Sequence, residues 1–467
     1  MVSEKFRYQL REELAQWQAE GIVSHNISEQ LANRYGLSEL DTASRDRFVT
    51  ILLGLGSVLL GLAAITFVAA NWQQWTREIK VFLLLSLFIS VSAGGFYLWQ
   101  HSTRQRLGQA LLLLGSLILG ANLGLMSQMF HLSGAAYQLY LVWSLGVLAM
   151  AYSLRITLLG ILALLLAFVG YCLGIPDLFT LRISPFVLAL QHMSLLASML
   201  FIPLAYWCRS PWLFGLGSAL VTVALEVSTA GALAVAETPQ LAWNSLIAIV
   251  LAIPPLLLWA YQDALWGLPW AYFDTVACRL ALIYLAVVCF SLSFNTVWQE
   301  AWTSTADATR SNYWHWLITI DILVLLGLTV FAWWRLGYRV GKRGWRLDAT
   351  STAIAGMVAI ATAVVWWQIN MGALGAIATF TFNLLLAGLA IGLIRESLAS
   401  GTRLGFWGGI FLLVLQLLSR MLEYNTGLLL KSIVLFGCGV TVMAAGLWFE
   451  RYVRHFETKR LSSRLNP

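Results

Sequence analysis

Two carboxylic acids, Glu226 and Asp321, lie near the middle of long apolar stretches of the sequence. An ionised side chain at the centre of a bilayer costs about 2.5–3.5 kcal/mol on insertion scales, so such residues usually face protein or water and are candidates for function. No basic residue lies near the centre of an apolar stretch to neutralise them. We therefore predict that Glu226 or Asp321 binds a proton or a cation on a transport pathway. The alternative is that each carboxyl group only holds two helices together.

A second group of polar residues follows a glycine-rich stretch. Asn122 precedes a loop without charged residues, 127–138, which contains Gln128 and His131, and the three residues are predicted to lie at the outer mouth of a polar cavity. One helix face there carries small residues at steps of four, which allow two helices to approach closely. The alternative is that this face serves packing alone. The residues of this face are Ser116, Gly120, Gly124 and Gln128. Gly388 and Gly392 are predicted to form a second pair of the same kind.

Other chemistry-bearing residues point to no catalytic or metal centre. The histidines His131, His192 and His315 show no spacing typical of a metal or haem site, and no Walker A, G-x-S-x-G or H-E-x-x-H motif is present. We therefore predict no catalytic residues, no metal and no cofactor. Glu423 is predicted to pair at the protein surface with either Arg420 or Lys431, and such a pair contributes little to stability.

The elements that must position these residues are membrane-spanning helices. Of the 467 residues, 59% are hydrophobic and 11% are charged, against about 25% charged in soluble proteins, and the mean hydropathy is +0.76. This composition excludes a soluble enzyme and a disordered chain. We predict an all-α, polytopic helical bundle with about 14 spans, at 48–70, 80–98, 107–126, 137–152, 156–174, 184–206, 212–235, 243–261, 278–297, 314–334, 351–368, 373–394, 404–422 and 427–449. Pro254 and Pro255 interrupt the eighth span, because proline lacks a backbone donor.

The charges predict the orientation of the chain. With both termini in the cytoplasm, 23 of the 29 lysine and arginine residues fall on the cytoplasmic side, which is the bias found in membrane proteins. We therefore interpret the net charge of +7 as a consequence of the chain's orientation in the membrane, and we predict no nucleic-acid partner.

Three domains are predicted along the chain. Residues 1–47 form a soluble cytosolic helical hairpin, residues 48–450 form the transmembrane bundle, and residues 451–467 form a basic cytosolic tail. In the hairpin, Phe6, Leu10, Leu14 and Trp17 recur at helical spacing, and Gly21 is predicted to end the first helix. The hairpin and the basic loop 335–346 are candidate docking surfaces for a membrane-protein partner, and the bundle contacts the lipid bilayer. The alternative for the hairpin is that its apolar stripe packs on the cytoplasmic loops.

The first third of the chain resembles a known family. The stretches Ala70-Asn71-Trp72-Gln73 and Gly120-Ala121-Asn122, followed by Gln128, His131 and Ser133-Gly134, are similar to motifs of a domain-of-unknown-function family of predicted bacterial multi-pass membrane proteins. The resemblance covers roughly residues 5–155. It implies the bacterial cytoplasmic membrane, or another internal energy-converting membrane, and it supplies no activity or ligand.

Two functions follow as expectations. The first is a transporter-like protein that moves a small solute or lipid-linked molecule with proton or cation coupling through Glu226 or Asp321. The second is a non-catalytic scaffold or assembly factor for a membrane protein complex. A third hypothesis, an intramembrane enzyme that acts on a lipid, is the least favoured.

Overall fold

The computed structural model describes most of the chain. The described residues are 9–10, 13–14, 16–18, 20–35, 39–71, 76–101, 104–131, 133–178, 184–235, 241–263, 273–299, 313–340, 346–424 and 427–465. The chain divides into two compact units, Met1–Gly170 and Tyr171–Pro467, which are described separately below. The predicted domain boundary after residue 47 falls within a continuous helix, and so does the one after residue 450.

The described residues form helices and no strand, so the predicted all-α fold is confirmed. In chain order the helices are α1 (His25–Tyr35), α2 (Glu39–Asn71), α3 (Arg77–Gln100), α4 (Gln105–Met129), α5 (Ala136–Leu154), α6 (Thr157–Leu178), α7 (Pro185–Gln191), α8 (Met193–Cys208), α9 (Pro211–Val235), α10 (Leu241–Val250), α11 (Ile253–Trp259), α12 (Asp274–Leu292), α13 (Tyr313–Val340), α14 (Ala349–Asn370), α15 (Ala376–Ser400), α16 (Arg403–Glu423) and α17 (Leu428–Leu465). A short 3-10 helix, Asn295–Trp298, follows α12.

Among the described residues, fewer spans are found than the sequence predicted. In the described part of the chain, eleven helices are long and apolar enough to cross a membrane, or twelve if the bent pair α7 and α8 counts as one span. The first and eighth predicted spans appear there only as the shorter apolar stretches Ile51–Ala63 and Ala248–Trp259. The count of about 14 is therefore not confirmed, although the polytopic architecture is.

At the start of the first unit, the predicted hairpin buries its apolar stripe. Leu14 is 3% exposed and packs with Leu10 and Trp17 of its own segment and with Leu31 and Tyr35 of α1. The turn between the segments contains Gly21 with φ of +72°, a left-handed conformation that glycine adopts without steric cost. The stripe is therefore used in packing within the hairpin.

The long helices of the first unit are held together by close contacts at glycine. A Cβ atom at Gly108 of α4 would overlap the backbone of Trp99 and lie 2.8 Å from the carbonyl oxygen of Gly95, both on α3. A Cβ atom at Gly120 would overlap the indole ring of Trp143, whose Nε1 donates to the carbonyl oxygen of Ser116 at 2.8 Å. The predicted small-residue face of α4 thus packs against α5.

The predicted glycine pair on α15 has no such role. No described atom lies within 4 Å of a Cβ atom built at Gly388 or Gly392, so this prediction is wrong. The close contact between α15 and α16 is made instead by Gly409, where a Cβ atom would lie 2.7 Å from the carbonyl oxygen of Ala390. The spacing of small residues is similar on both helices, and only the rotation of each helix decides which glycines meet a neighbour.

The second unit is built around an apolar core with broken helices at its margin. Its core includes Leu225 of α9 and Ile322 of α13 together with residues of α10, α12, α14 and α15. The chain bends by 75° between α7 and α8, and two residues separate the end of α10 from the start of α11. Each break leaves helix ends inside the unit, where their backbone groups need partners.

Candidate functional site: two carboxylates at helix breaks

Asp321 lies at the break between α7 and α8. Its Oδ1 atom is 2.6 Å from Nδ1 of His192, and its Oδ2 atom accepts a hydrogen bond of 2.5 Å from the Ser194 hydroxyl. The carboxylate is almost completely buried, with 3% of its side chain exposed, whereas His192 keeps 22%. Both carboxylate oxygens are therefore engaged by side chains from one short segment of chain.

The sequence around the break explains this arrangement. His192 is the residue between the two helices and precedes the first residue of α8, and Ser194 lies in the first turn of α8. The first turn of a helix carries a partial positive charge from backbone N–H groups without intrahelical partners. The N-terminus of α8 and the imidazole therefore both stabilise negative charge on Asp321.

The formal charge of the His192–Asp321 pair differs by one unit between the state with a proton and the state without it. When the proton is present, an imidazolium and a carboxylate, or a neutral imidazole and a carboxylic acid, give a net charge of zero. When it is absent, one negative charge stays in an apolar surrounding, which is costly unless another cation compensates for it. Of the two side chains, the imidazole is the more exposed.

Glu226 lies at the other helix break. Its Oε1 atom accepts a hydrogen bond of 2.6 Å from the hydroxyl of Tyr284 on α12. The same hydroxyl is 3.4 Å from the carbonyl oxygen of Leu251, which lies between α10 and α11. One tyrosine thus connects the carboxylate of α9 to the interrupted backbone of the neighbouring segment.

The two prolines cause this interruption and leave a carbonyl group without its helical donor. In a continuous helix the N–H of residue 255 would bond to the carbonyl of Leu251, but Pro255 has no N–H. Pro254 and Pro255 instead occupy the first turn of α11, where proline is well tolerated. The predicted interruption of the eighth apolar stretch is confirmed, and its consequence is an oxygen atom that faces Tyr284.

Both carboxylates belong to the second unit and border the same apolar core. Leu225 precedes Glu226 and Ile322 follows Asp321, and both are core residues with at most 2% exposure. Leu251, at the second break, packs against this core as well. The core thus lies beside the two polar sites, each of which has one carboxylate and one helix break.

The three residues predicted at the outer mouth of a cavity differ in burial. Asn122 is buried, and its side-chain amide donates 2.9 Å to the carbonyl oxygen of Leu84 on α3. Gln128 and His131 are exposed near the end of α4, where His131 has a positive φ of 51°. Asn122 therefore takes part in helix packing in the first unit, and the role of the three residues at a cavity stays a prediction.

The predicted surface pair of Arg420 and Glu423 is largely buried, so that interpretation is wrong. Their side chains are 15% and 10% exposed and bonded to each other. Arg420 Nη1 also donates 2.6 Å to the carbonyl oxygen of Ser293, and the guanidinium lies 4.5 Å from the ring centre of Phe294. Glu423 accepts from the backbone N–H of Asn295 at 2.6 Å. The pair joins the end of α16 to the segment that follows α12.

Comparison with known proteins gives a family for the first part of the chain. Residues 15–160 match the model of a family described as "Predicted membrane protein (DUF2157)". The resemblance inferred from the sequence motifs is thereby confirmed. No curated protein and no solved structure matches the chain.

The match to the predicted membrane protein family ends before either carboxylate. Glu226 and Asp321 lie outside residues 15–160, and so do their partners His192, Ser194 and Tyr284. Sequence reasoning selected the two acids because their charge is costly in a membrane, but it did not select these partners. A histidine, a serine and a tyrosine are tolerated at many membrane positions, and only their proximity to the acids distinguishes them. His315, the third histidine considered, lies in α13, and its side chain is outside the described part of the structure.

Proposed function

We propose that this multi-pass membrane protein is a proton-coupled transporter of a small solute, and that the His192–Asp321 pair is its proton-binding site. The observation that carries the proposal is the buried Asp321 carboxylate bonded to His192 and Ser194 at a bent pair of helices. Interrupted helices near the membrane midplane are a recurring way to form substrate and ion sites in transporters.

The arrangement supports proton coupling through its charge. A coupling site must gain and lose a proton inside the membrane, and each change in its charge must alter the conformation of a movable part of the protein. Here the proton changes the charge of a pair that bridges α13 and the start of α8. Loss of the proton weakens the attraction between these elements, so protonation is linked to the angle at the break.

The first experiment identifies the solute and then tests the pair. Metabolite levels in a deletion strain and its parent would show which small molecules accumulate or disappear. Proteoliposomes loaded with the pH-sensitive dye pyranine then report proton movement when such a solute is added. Asp321→Asn keeps the size of the side chain but cannot ionise, and we expect it to lower solute-driven proton flux at least tenfold.

A matched variant controls for the substitution itself. Asp348→Asn makes the same chemical change at an exposed residue next to the start of α14, and we expect flux at the parental level. Parental flux in Asp321→Asn, at equal protein level in the vesicles, would show that Asp321 is not the coupling site.

We also propose that the protein lies in the bacterial cytoplasmic membrane with both termini in the cytoplasm. The bias of lysine and arginine toward one side supports this orientation. Alkaline phosphatase fused after residue 467 should be inactive in cells, because that enzyme becomes active only outside the cytoplasm. An active fusion would reverse the orientation.

A scaffold or assembly role is the second candidate, and one observation favours it. No residue of the apolar window Leu428–Leu447 in α17 is buried within the chain. Ala445 and Gly446 lie against α16, and most of the remaining surface of this helix is open to lipid or to another membrane protein. If the scaffold role holds, a membrane complex should co-purify with the full chain and be lost when residues 1–40 are deleted. Recovery of the same complex after the deletion would count against the predicted docking hairpin.

A further inference from the structure

The oxygen atoms around Glu226 form a group of a different chemical kind from the Asp321 site. Glu226 supplies a carboxylate, Tyr284 a hydroxyl and Leu251 a backbone carbonyl, and the hydroxyl lies within 2.6 Å and 3.4 Å of the other two. This set contains no nitrogen, unlike the histidine-containing site at Asp321. Oxygen ligands of this type suit hard cations.

The electrostatic surroundings of Glu226 also favour a cation. Leu251 follows directly after the last residue of α10, and the C-terminus of a helix carries a partial negative charge from carbonyl groups without intrahelical donors. Asp321, by contrast, faces a positive helix N-terminus and an imidazole. Among the residues that the structure describes, Glu226 makes no ion pair that would supply the missing positive charge.

The backbone supplies a ligand because of the proline pair. Pro255 cannot donate to the Leu251 carbonyl, so this oxygen is available to the Tyr284 hydroxyl or to a bound ion. The turn of α9 that carries Glu226 is held in place on its other side, where Tyr171 donates 3.0 Å to the carbonyl oxygen of Ala224 and lies 3.2 Å from the Ser228 hydroxyl.

We propose that Glu226, Tyr284 and the Leu251 carbonyl bind a monovalent cation of the sodium class, at a site distinct from the His192–Asp321 pair. A single carboxylate balances a single positive charge. When the ion binds, the Tyr284 hydroxyl turns its proton away from Glu226 and offers a lone pair. Unwound backbone carbonyls and half-helix C-terminal ends coordinate ions in the same manner in transporters with interrupted helices.

This inference rests on the proposed transport function for its purpose, but its test needs no solute and no flux. Binding of ²²Na⁺ to the purified full chain in detergent is measured by scintillation proximity. We expect saturable binding to the parental protein and at least tenfold weaker binding to Glu226→Gln. Glu396→Gln makes the same change at an exposed residue of α15 and should bind as the parent does.

Two further variants test the ligands, and a third tests the separation of the two sites. Tyr284→Phe removes the hydroxyl, and Pro255→Ala restores the backbone donor that competes for the Leu251 carbonyl, so both should weaken ²²Na⁺ binding severalfold. Asp321→Asn should leave ²²Na⁺ binding unchanged even though it abolishes proton coupling. Tyr284→Phe gives the answer if Glu226→Gln does not fold.

Several results would overturn the proposal. They are absence of saturable ²²Na⁺ binding to the parental protein, parental binding by Glu226→Gln, and parental binding by both Tyr284→Phe and Pro255→Ala. Loss of binding in a folded Asp321→Asn variant would also overturn it, because the two sites would then be one. Parental solute-driven proton flux in Asp321→Asn, with ²²Na⁺ binding intact, would instead refute the coupling role of Asp321 and would not affect the cation site.

Discussion

The two compact units of the protein use buried polar groups in different ways. In Met1–Gly170 these groups donate to backbone carbonyls, as Asn122 does to Leu84 and Ser144 does to Ala163 at 2.7 Å. In Tyr171–Pro467, Ser194 and Tyr284 donate instead to the carboxylates Asp321 and Glu226. The first pattern needs only neutral partners, whereas the second maintains ionisable groups in an apolar surrounding.

This difference separates packing from candidate chemistry. The match to the predicted membrane protein family, residues 15–160, lies within the first unit. Its helices α3, α4 and α5 are uninterrupted and meet at glycines, whereas the second unit contains the breaks at His192 and Leu251. A buried carboxylate is costly to keep, so the second unit is where a test of function should begin.

The largest expected effect comes from breaking the buried ion pair of the second unit. Arg420→Met leaves Glu423 without its charged partner, and removal of one member of a buried pair costs about 3–5 kcal/mol, with the lower end expected for side chains that keep some exposure. The double variant Arg420→Met/Glu423→Gln should recover part of this loss. Denaturant titration in mixed micelles measures both. Arg395→Met, at an exposed arginine, is the control. If Arg420→Met is as stable as the parent, the Arg420–Glu423 pair contributes no more than a weak surface contact.

The next effect compares one buried serine from each unit. Ser194→Ala removes a hydrogen bond to a carboxylate, which contributes about 1.5–3 kcal/mol, whereas Ser144→Ala removes a bond to a neutral carbonyl, which contributes about 0.6 kcal/mol in membrane proteins. The same titration should therefore show a clearly larger loss for Ser194→Ala. Equal losses would contradict the distinction between the two units.

A smaller effect is expected from filling a close helix contact in the first unit. The Cβ atom of Gly108→Ala would overlap the backbone of Trp99, so α3 and α4 must separate, and overpacking of this kind costs about 1–3 kcal/mol. Gly388→Ala places the same methyl group where no described atom lies within 4 Å and should be neutral. If the thermal stability of both variants equals that of the parent, the glycine contacts do not hold the first unit together.

The smallest effect is expected at Asn122. Asn122→Leu removes the hydrogen bond to Leu84 and also removes Oδ1, a buried atom for which no partner is described, so the net loss should be about 0.6 kcal/mol. Solute flux should stay within twofold of the parent. A tenfold decrease in flux at normal stability would support the predicted outer mouth.

Composition and periodicity were sufficient for the general fold and for the choice of acids. Apolar stretches predict spanning helices because backbone groups in lipid must bond within the helix, and the scarcity of charge makes Glu226 and Asp321 stand out. The count of about 14 spans was not confirmed among the described residues, where the first and eighth predicted spans appear only as shorter apolar stretches. Hydropathy alone does not show where a helix stops, as it does after Val250. The proline pair predicted one break, but the 75° bend at His192 has no proline signal at its centre.

The sequence by itself determined that this protein is an all-α multi-pass membrane protein and that its first third resembles a family of predicted membrane proteins. It also determined that two acids are costly to place in a membrane. Only the tertiary structure decided what surrounds these acids. His192 reaches Asp321 across 129 residues and Tyr284 reaches Glu226 across 58, and such distances along the chain leave no local pattern. The rotation and bending of helices decide them, because side chains on different helices meet only when both helices present the right face.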